Sequence, residues 1–392
     1  METCDVLIVG GGPAGSTLAW KLKAAGLDVL ILDKKTFPRD KTCAGWITPA
    51  VVETLKLDTA DYAHGRVFQP IRRFVTGTIG DDVQGRTSAA GAGRAGPAKE
   101  VHTDYATPVS YGIRRFEFDD YLLQRCGARV VLGEPLKSLE HEGDGWLVNG
   151  KIRAPLVVGA GGHFCPVARY LGANLGADEQ IIAAQEIEFE MSAAQQRACG
   201  VAEDRPELYF CDDLKGYGWI FRKGNFLNIG LGREDNHKLA EHVSAFCDGL
   251  KRQGRIPSDI PSKFHGHAYL LYPLAPRQLV EDGLLLIGDA AGLAYPQSGE
   301  GIRPAIESAL LAANTILAAR GDYRRARLEP YVAQLTARFG KRLHGEAPAA
   351  PGHFMQRFKQ TLAHWLLRRG WFARHVVIDR WFLHRQQPPL PS

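Results

Sequence analysis

Cysteine is sparse in this 392-residue sequence, which has seven Cys residues scattered between positions 4 and 247. They form no CxxC pair and show no His/Cys spacing typical of a zinc site, so we predict no bound metal. An odd number of scattered thiols fits a reducing compartment better than a disulfide framework. We therefore expect a cytoplasmic protein.

Long apolar runs are also absent, because no stretch reaches the roughly 18 apolar residues that a membrane-spanning helix requires. The apolar start of the chain lacks a basic region and is interrupted by Gly10, Gly11 and Gly12, unlike a secretory signal. The net charge is only +5, and no basic arm interleaved with aromatic residues marks a nucleic-acid-binding module. We expect neither a spanning helix nor a nucleic-acid partner.

Glycine, by contrast, is abundant, with 43 residues that fall in discrete clusters. The cluster at 10–15 has the form GxGxxG and stands between an apolar run at 4–9 and a predicted helix at 16–25. A second apolar run at 29–32 ends at Asp33. This order predicts a β-α-β unit that binds a dinucleotide.

Each position of this motif has a physical role. Gly10 permits a tight turn, Gly12 lets a pyrophosphate approach the backbone, and Gly15 allows close packing of helix and strand. The carboxylate of Asp33 can accept hydrogen bonds from the ribose hydroxyls and disfavours a 2′-phosphate, and hence NADP. The predicted contacts at this end are Gly10, Gly12, Pro13, Ala14, Gly15, Asp33 and Lys34.

A second glycine pattern lies near the other end of the chain, where 283–292 reads GLLLIGDAAG and 296–302 reads PQSGEGI. These segments resemble the second FAD fingerprint of the superfamily that contains the flavoprotein hydroxylases and the geranylgeranyl reductases. The resemblance implies FAD as cofactor, with Asp289 on the ribityl chain. The residues that it implies at the flavin are Gly288, Asp289, Gly299, Gly301 and Ile302.

Two further segments match this superfamily. Residues 115–122 resemble its R-x-x-F-D-x-x-L helix, in which Arg115 would reach the FAD phosphates or ribityl chain. Residues 38–45 resemble the P-x-x-K-x-C-x-G signature of geranylgeranyl reductases, which implies that Lys41, Cys43, Ala44 and Gly45 lie at the flavin. Cys43 is equally well explained as a small buried apolar residue.

An aromatic stretch, YGWIF at 217–221, resembles the Y-x-W-x-F-P motif of the same reductases, with Arg222 in place of proline. Strand alternation places Tyr217, Trp219 and Phe221 on one face. The resemblance implies that this face lines an apolar substrate cavity, whereas an ordinary sheet core is the simpler alternative. Cys43, Tyr217 and Trp219 are the candidates for the cavity wall, and no acid that could donate a proton stands out.

One departure bears on the reaction. The hydroxylases carry a GADG motif, and here 159–162 reads GAGG, without the acid that is tied to FAD and NADPH in that branch. We therefore predict a flavin-dependent reductase of carbon–carbon double bonds, in which N5 of reduced FAD delivers hydride to an isoprenoid-like chain. The alternatives are a monooxygenase or dehydrogenase of a small aromatic or natural-product substrate, and a non-catalytic electron carrier. The electron donor is NAD(P)H or a reduced carrier protein.

The expected fold is α/β, with a discontinuous Rossmann-like FAD-binding domain, an inserted mixed β-sheet substrate domain and a C-terminal helical tail. The FAD-binding domain would comprise 1–75, 101–175 and 275–325, and the substrate domain 76–100 and 176–274. The tail, 326–392, interleaves basic and aromatic residues over 351–385. Such a segment can lie on a membrane surface or pack as a cap over the substrate cavity.

Overall fold

The computed structural model describes residues 1–79, 100–174, 179, 181–235, 238–343 and 361–391. Within these residues a six-stranded sheet holds the predicted β-α-β unit. Its strands pair in parallel except at one edge, where Val280–Glu281 is antiparallel to its neighbour. In spatial order the strands are Val280–Glu281, Leu284–Leu286, Leu156–Gly159, Val6–Val9, Val29–Asp33 and Arg129–Leu132.

The central strands of this sheet are apolar and fully buried, as expected for parallel strands covered on both faces. The helix of the glycine motif, Pro13–Ala24, packs against the long helix Ile302–Ala319. A Cβ atom on Gly15 would stand 1.9 Å from the carbonyl oxygen of Gly10, so only glycine lets this helix lie so close to the strand. The predicted Rossmann-like unit is confirmed.

A seven-stranded, mostly antiparallel sheet forms the second layer, and the helix Leu239–Arg252 packs on one of its faces. Residues 101–104, which the sequence analysis assigns to the FAD-binding domain, pair with 73–78 at its edge. Residues 80–99, most of the predicted 76–100 segment, lie outside the described residues. The strands are His265–Leu270, Ile181–Glu190, Phe226–Arg233, Gly216–Lys223, Glu207–Phe210, Arg73–Thr78 and Val101–Asp104.

The C-terminal segment returns to the body of the protein. Residues 361–367 are helical, and Gly370–Phe372 leads into a π-helical segment, Ala373–Phe382. Its apolar side is buried against the seven-stranded sheet, on the face opposite the helix Leu239–Arg252. The cluster that it joins includes Trp46, Trp219 and Phe382. This segment therefore packs over the sheet, while residues 351–360 of the predicted tail lie outside the described part of the chain.

Arg303 fastens the last residues to the long helix. Its guanidinium is buried and donates hydrogen bonds to the backbone carbonyls of His384, Gln387 and Pro388, at 3.2, 2.8 and 3.2 Å. Glu307, one turn further along the helix, accepts from Arg303 Nε at 2.8 Å and balances its charge. The tail is thus held by the helix that begins at the second glycine pattern.

The smaller elements complete the described part of the structure. A four-stranded sheet comprises Glu2–Thr3, Ile152–Ala154, Gly145–Val148 and Leu139–Glu142, and a three-stranded sheet comprises Trp46–Ile47, Ser110–Gly112 and Gln69–Ile71. The other helices are Pro49–Thr54, Thr59–Ala63, Arg115–Arg125, Pro166–Tyr170, Ala193–Ala198, Arg325–Leu328 and Pro330–Phe339, and short 3₁₀ turns are Tyr272–Leu274 and Gly288–Ala291.

Candidate active site

A cavity of about 550 Å³ lies between the two large sheets, within the size range of small-molecule sites. It runs from the glycine turn at residues 10–15 to the aromatic strand at 216–223. The predicted cofactor contacts and the three cavity-wall candidates all line this cavity except Gly15 and Gly288, which sit behind it at close-packed positions. Two patterns almost 280 residues apart in the chain thus meet at one site.

The glycine turn forms the phosphate-binding end of the cavity. Gly10 has a φ of +115°, and a Cβ there would stand 2.4 Å from the carbonyl oxygen of Ala160. Gly12 precedes the helix Pro13–Ala24, and no side chain caps the backbone N–H groups of that helix start. Free N–H groups and the positive end of the helix dipole suit a pyrophosphate, so the turn fits an FAD cofactor.

Asp33 stands beside this turn with its carboxylate fixed by the backbone. One oxygen accepts from the N–H of Gly11 at 2.7 Å and the other from the N–H of Lys35 at 2.8 Å. Each oxygen keeps a lone pair for a ribose hydroxyl. Lys34, the next predicted contact, is exposed at the cavity edge.

Arg39 is a residue that the sequence analysis missed. Its Nη2 lies 3.3 Å from where a Cβ of Gly12 would stand, which places a cation over the phosphate-binding turn. Its Nη1 lies 3.2 Å from Asp119, yet it is buried without a hydrogen bond of normal geometry. The guanidinium stacks on Phe37 at 4.7 Å. The Arg39 guanidinium therefore has N–H groups left to donate to a diphosphate bound at this turn.

Arg115 is anchored by its own helix. It donates two hydrogen bonds to Asp119, at 2.6 and 2.7 Å, so one carboxylate is shared by Arg115 and Arg39. Burial would lower the pKa of Arg115, but the charge and hydrogen bonds of Asp119, together with Cys43, outweigh burial and raise it above the ordinary value. Arg115 therefore stays cationic at the cavity wall, where it can meet phosphate or ribityl oxygens.

Lys41, His267 and Asp289 form a chain of polar groups at the centre of the cavity. His267 Nε2 lies 2.8 Å from Lys41 Nζ and 3.7 Å from a carboxylate oxygen of Asp289. Burial lowers the pKa of Lys41 to about 8 and also lowers that of His267. Burial would raise the pKa of Asp289, but its close contact with His267 and the charge of Lys41 lower it to about 2.

The loop that carries Cys43 and Gly45 is held by a buried polar network on the seven-stranded sheet. Cys43 N–H donates to Glu186 at 2.5 Å, and Lys223 Nζ donates to the carbonyl of Ala44 at 3.1 Å. Gly45 has a φ of +72°, and a Cβ there would stand 2.4 Å from the carbonyl oxygen of Ile113. Burial raises the pKa of the Cys43 thiol, so it remains protonated.

Two carboxylates in this network have opposite behaviour. Burial raises the pKa of Glu186 to about 7. Burial acts the same way on Glu188, but an ion pair with Lys223 at 2.5 Å and hydrogen bonds from Asn228 and Arg114 together outweigh burial and lower the pKa. Asn228 joins the two through its amide and accepts a hydrogen bond from the indole of Trp219 at 2.7 Å.

The aromatic strand supplies the far wall of the cavity. Tyr217 and Trp219 line it together with Tyr269 from the edge strand His265–Leu270 of the same sheet, and the rings of Tyr217 and Trp219 lie 5.9 Å apart. The tyrosine hydroxyl of residue 217 donates to the carbonyl of Ser298. Phe221, further along the strand, is buried against Trp46 instead. One end of the predicted aromatic face thus meets the cavity and the other fills the core.

The second glycine pattern closes the cavity. Gly299 has a φ of +67° and a Cβ there would stand 2.2 Å from the hydroxyl of Tyr269, while Gly301 and Ile302 begin the long helix. Glu300 lies between Gly299 and Gly301, and its side chain is only 8% exposed. His384, from the C-terminal segment, lies 3.6 Å from its carboxylate.

The residues that sequence reasoning missed differ in how visible they were. Arg39 and Glu300 stand inside motifs that the sequence analysis quotes, so their charge and position were available signals. Glu186 and His267 lie on strands without any motif, and only the strand pairing brings them to the cavity. His384 comes from the tail, and no local pattern connects it with the flavin-binding turns.

Comparison with known proteins agrees with this geometry. The FAD binding domain family matches residues 3–205. A menaquinone reductase of Mycobacterium tuberculosis is 30% identical over 349 residues, which span 80% of this chain and 77% of the relative. A digeranylgeranylglycerophospholipid reductase of Methanothermobacter thermautotrophicus is 30% identical over 351 residues, which span 83% of this chain and 81% of the relative.

Solved structures share the fold. A geranylgeranyl bacteriochlorophyll reductase-like protein of Thermoplasma acidophilum superposes with a TM-score of 0.68 at 22% identity, covering 100% of this chain and 94% of that one. The flavin-dependent halogenase CmlS has a TM-score of 0.67 at 19% identity, covering 94% and 72%. The resemblance noted from the motifs is confirmed.

Proposed function

The chain belongs to the FAD-binding-domain family of flavin-dependent oxidoreductases, and from that premise we propose that it reduces carbon–carbon double bonds of an isoprenoid chain. The observation that carries the proposal is one cavity that joins a dinucleotide cradle to an aromatic wall. The names of its relatives support the substrate class, since two of them are reductases of a menaquinone and of a digeranylgeranyl lipid.

Bound FAD, once reduced, supplies a hydride to the alkene. The protein's own groups would bind and orient it: the glycine turn and Arg39 would hold the diphosphate, Asp33 the ribose, and Asp289 the ribityl chain. The backbone N–H groups at the start of the helix Ile302–Ala319 and the Lys41 ammonium would stabilise negative charge on the flavin. Tyr217 and Trp219 form an apolar surface that excludes water from the substrate chain.

The test uses dithionite as the reductant, because it reduces bound flavin without a nicotinamide nucleotide or a carrier protein. FAD-loaded protein is reduced anaerobically and mixed with a geranylgeranyl lipid or a menaquinone, and products are analysed by mass spectrometry. We expect the mass to increase by two hydrogens for each saturated bond. A protein that reduces neither chain would refute the proposal, and a hydroxylated product formed in air would favour the monooxygenase alternative.

We also propose that the tail meets a membrane surface that holds such substrates. Leu362, Trp365 and Trp371 are exposed by 44%, 52% and 69%. Arg368 and Arg369 are exposed between them, which suits anionic headgroups beside inserted tryptophans. Among the described residues, the helices are all too short or too polar to span a bilayer.

A further inference from the structure

Glu300 is a buried carboxyl group that the proposed function does not yet use. Its side chain is 8% exposed and lines the cavity between Gly299 and Gly301, at the start of the long helix. Within the described residues, neither carboxyl oxygen completes a hydrogen bond of normal geometry. A buried carboxylate without partners is costly, whereas a neutral carboxylic acid is much less so. The site therefore favours the protonated form.

The charged and titratable groups around Glu300 support this form. Burial raises the pKa of Glu300 to about 7, and the charge and backbone N–H of Arg303 only partly oppose the increase. Arg303 is itself engaged by Glu307 and by the tail carbonyls. The groups that face Glu300 are Arg303 and Glu307 on the helix that follows it, Tyr295 before it, Tyr217 on the aromatic strand and His384 on the tail.

His384 is placed to orient the acid. Its Nε2 lies 3.6 Å from a Glu300 oxygen and 3.4 Å from the hydroxyl of Ser298, and its ring stacks on Tyr295 at 3.6 Å. Burial, with the charge of Arg303, lowers the pKa of His384 to about 3, so the ring is neutral. A neutral ring nitrogen can accept the O–H of a protonated carboxyl group.

From this geometry we propose that Glu300 donates the proton that completes reduction of the double bond, and that His384 positions it. The role rests on the proposed function, because it needs an alkene and a bound, reduced FAD. The π bond breaks, one carbon takes a hydride from the reduced flavin, and the other takes the proton from the Glu300 carboxyl group. The two electrons of the hydride would come from the reduced FAD, and the Glu300 carboxylate would regain a proton from water as the product leaves.

The first experiment measures single turnovers with dithionite-reduced, FAD-loaded protein. Glu300→Gln should bind FAD normally and lose about 10²–10⁴-fold in the rate of saturation, the usual contribution of a general acid. Glu300→Asp should recover part of the rate. Gln297→Ala, an exposed neighbour in the same turn, serves as the matched control and should react like wild type.

A second measurement does not depend on activity. Glu186 titrates over the same range as Glu300, so this measurement uses the Glu186→Gln background. Infrared difference spectra of that oxidised, FAD-loaded protein between about pH 6 and pH 8 should show loss of a protonated carboxyl band, and adding Glu300→Gln should remove that change. In turnover, the wild-type rate should fall over the same pH range. Substituting His384→Gln should shift the midpoint of this fall, whereas a merely structural role would leave it in place.

The outcomes separate the two ideas. Wild-type protein that saturates no chain refutes the proposed function, and with it the role of Glu300. Active wild-type protein whose Glu300→Gln variant keeps the full rate and the same pH profile overturns the role of Glu300 alone. A carboxyl band that is absent at about pH 6, or unchanged when Glu300→Gln is added, also overturns it.

Discussion

Glu186 gives a quantitative prediction about stability and pH. This carboxyl group is 4% exposed at the cavity wall and accepts the N–H of Cys43. Burial raises its pKa from 4.5 to about 7. The folded protein therefore holds a proton that the unfolded chain releases near pH 4.5. A raised pKa contributes stability that is present below about pH 4.5 and is lost as the pH rises through about 7.

The size of the effect follows from this pKa difference, which corresponds to about 3 kcal/mol of unfolding free energy. Glu186→Gln keeps an acceptor for the Cys43 N–H but cannot ionise. We expect it to lie within about 1 kcal/mol of wild type at about pH 4.5, and to be more stable by about 2–3 kcal/mol at about pH 8.

The assay is urea unfolding at both pH values, with FAD removed from both proteins so that binding adds nothing to stability. Glu190→Gln, at the exposed end of the same strand, is the matched control and should change stability by less than about 0.5 kcal/mol. Equal pH dependence of wild type and Glu186→Gln would refute the reasoning, as would a variant that is less stable at pH about 8.

Three further predictions concern the cofactor, the tail and the membrane. Gly15→Ala places a Cβ 1.9 Å from the Gly10 carbonyl, so the purified protein should lose its flavin absorbance; a yellow variant would contradict the packing. Phe382→Ala should lower the free energy of unfolding by about 3–5 kcal/mol, because the ring is fully buried; a cost below about 1 kcal/mol would argue against the docked tail. Replacing Trp365 and Trp371 together by Ser should weaken co-sedimentation with anionic vesicles by about tenfold or more, and unchanged binding would exclude this surface.

Much of the fold was predictable because local patterns and long-range contacts agree in the FAD-binding half. The GxGxxG turn needs a strand before it and a helix after it, and both lie within a few residues of the predicted bounds. The second pattern was predictable for the same reason, since 284–286 is an apolar strand and 302–319 an uninterrupted helix. Both turns then meet because parallel strands end at one edge of the sheet.

The rest of the site depends on contacts that leave no local mark. Glu186 alternates with apolar residues on an ordinary-looking strand, and its high pKa arises from burial between layers that the sequence does not display. The tail has the spacing of an amphipathic surface helix, yet Val377 and Phe382 are fully buried. Hydrophobic pattern alone cannot distinguish a surface that faces lipid from one that faces another part of the chain.

The hydrogen bonds of Arg303 connect residues 384–388 with the helix that borders the proposed cofactor site. The helix Ile302–Ala319 starts at the cavity, and Arg303 in its first turn donates hydrogen bonds to the carbonyls of His384, Gln387 and Pro388. A shift of that helix on FAD binding would therefore also move residues 384–388. The rate of digestion by carboxypeptidase would detect such a movement. A difference in the rate of digestion with and without FAD would then show whether the cofactor occupies the cavity.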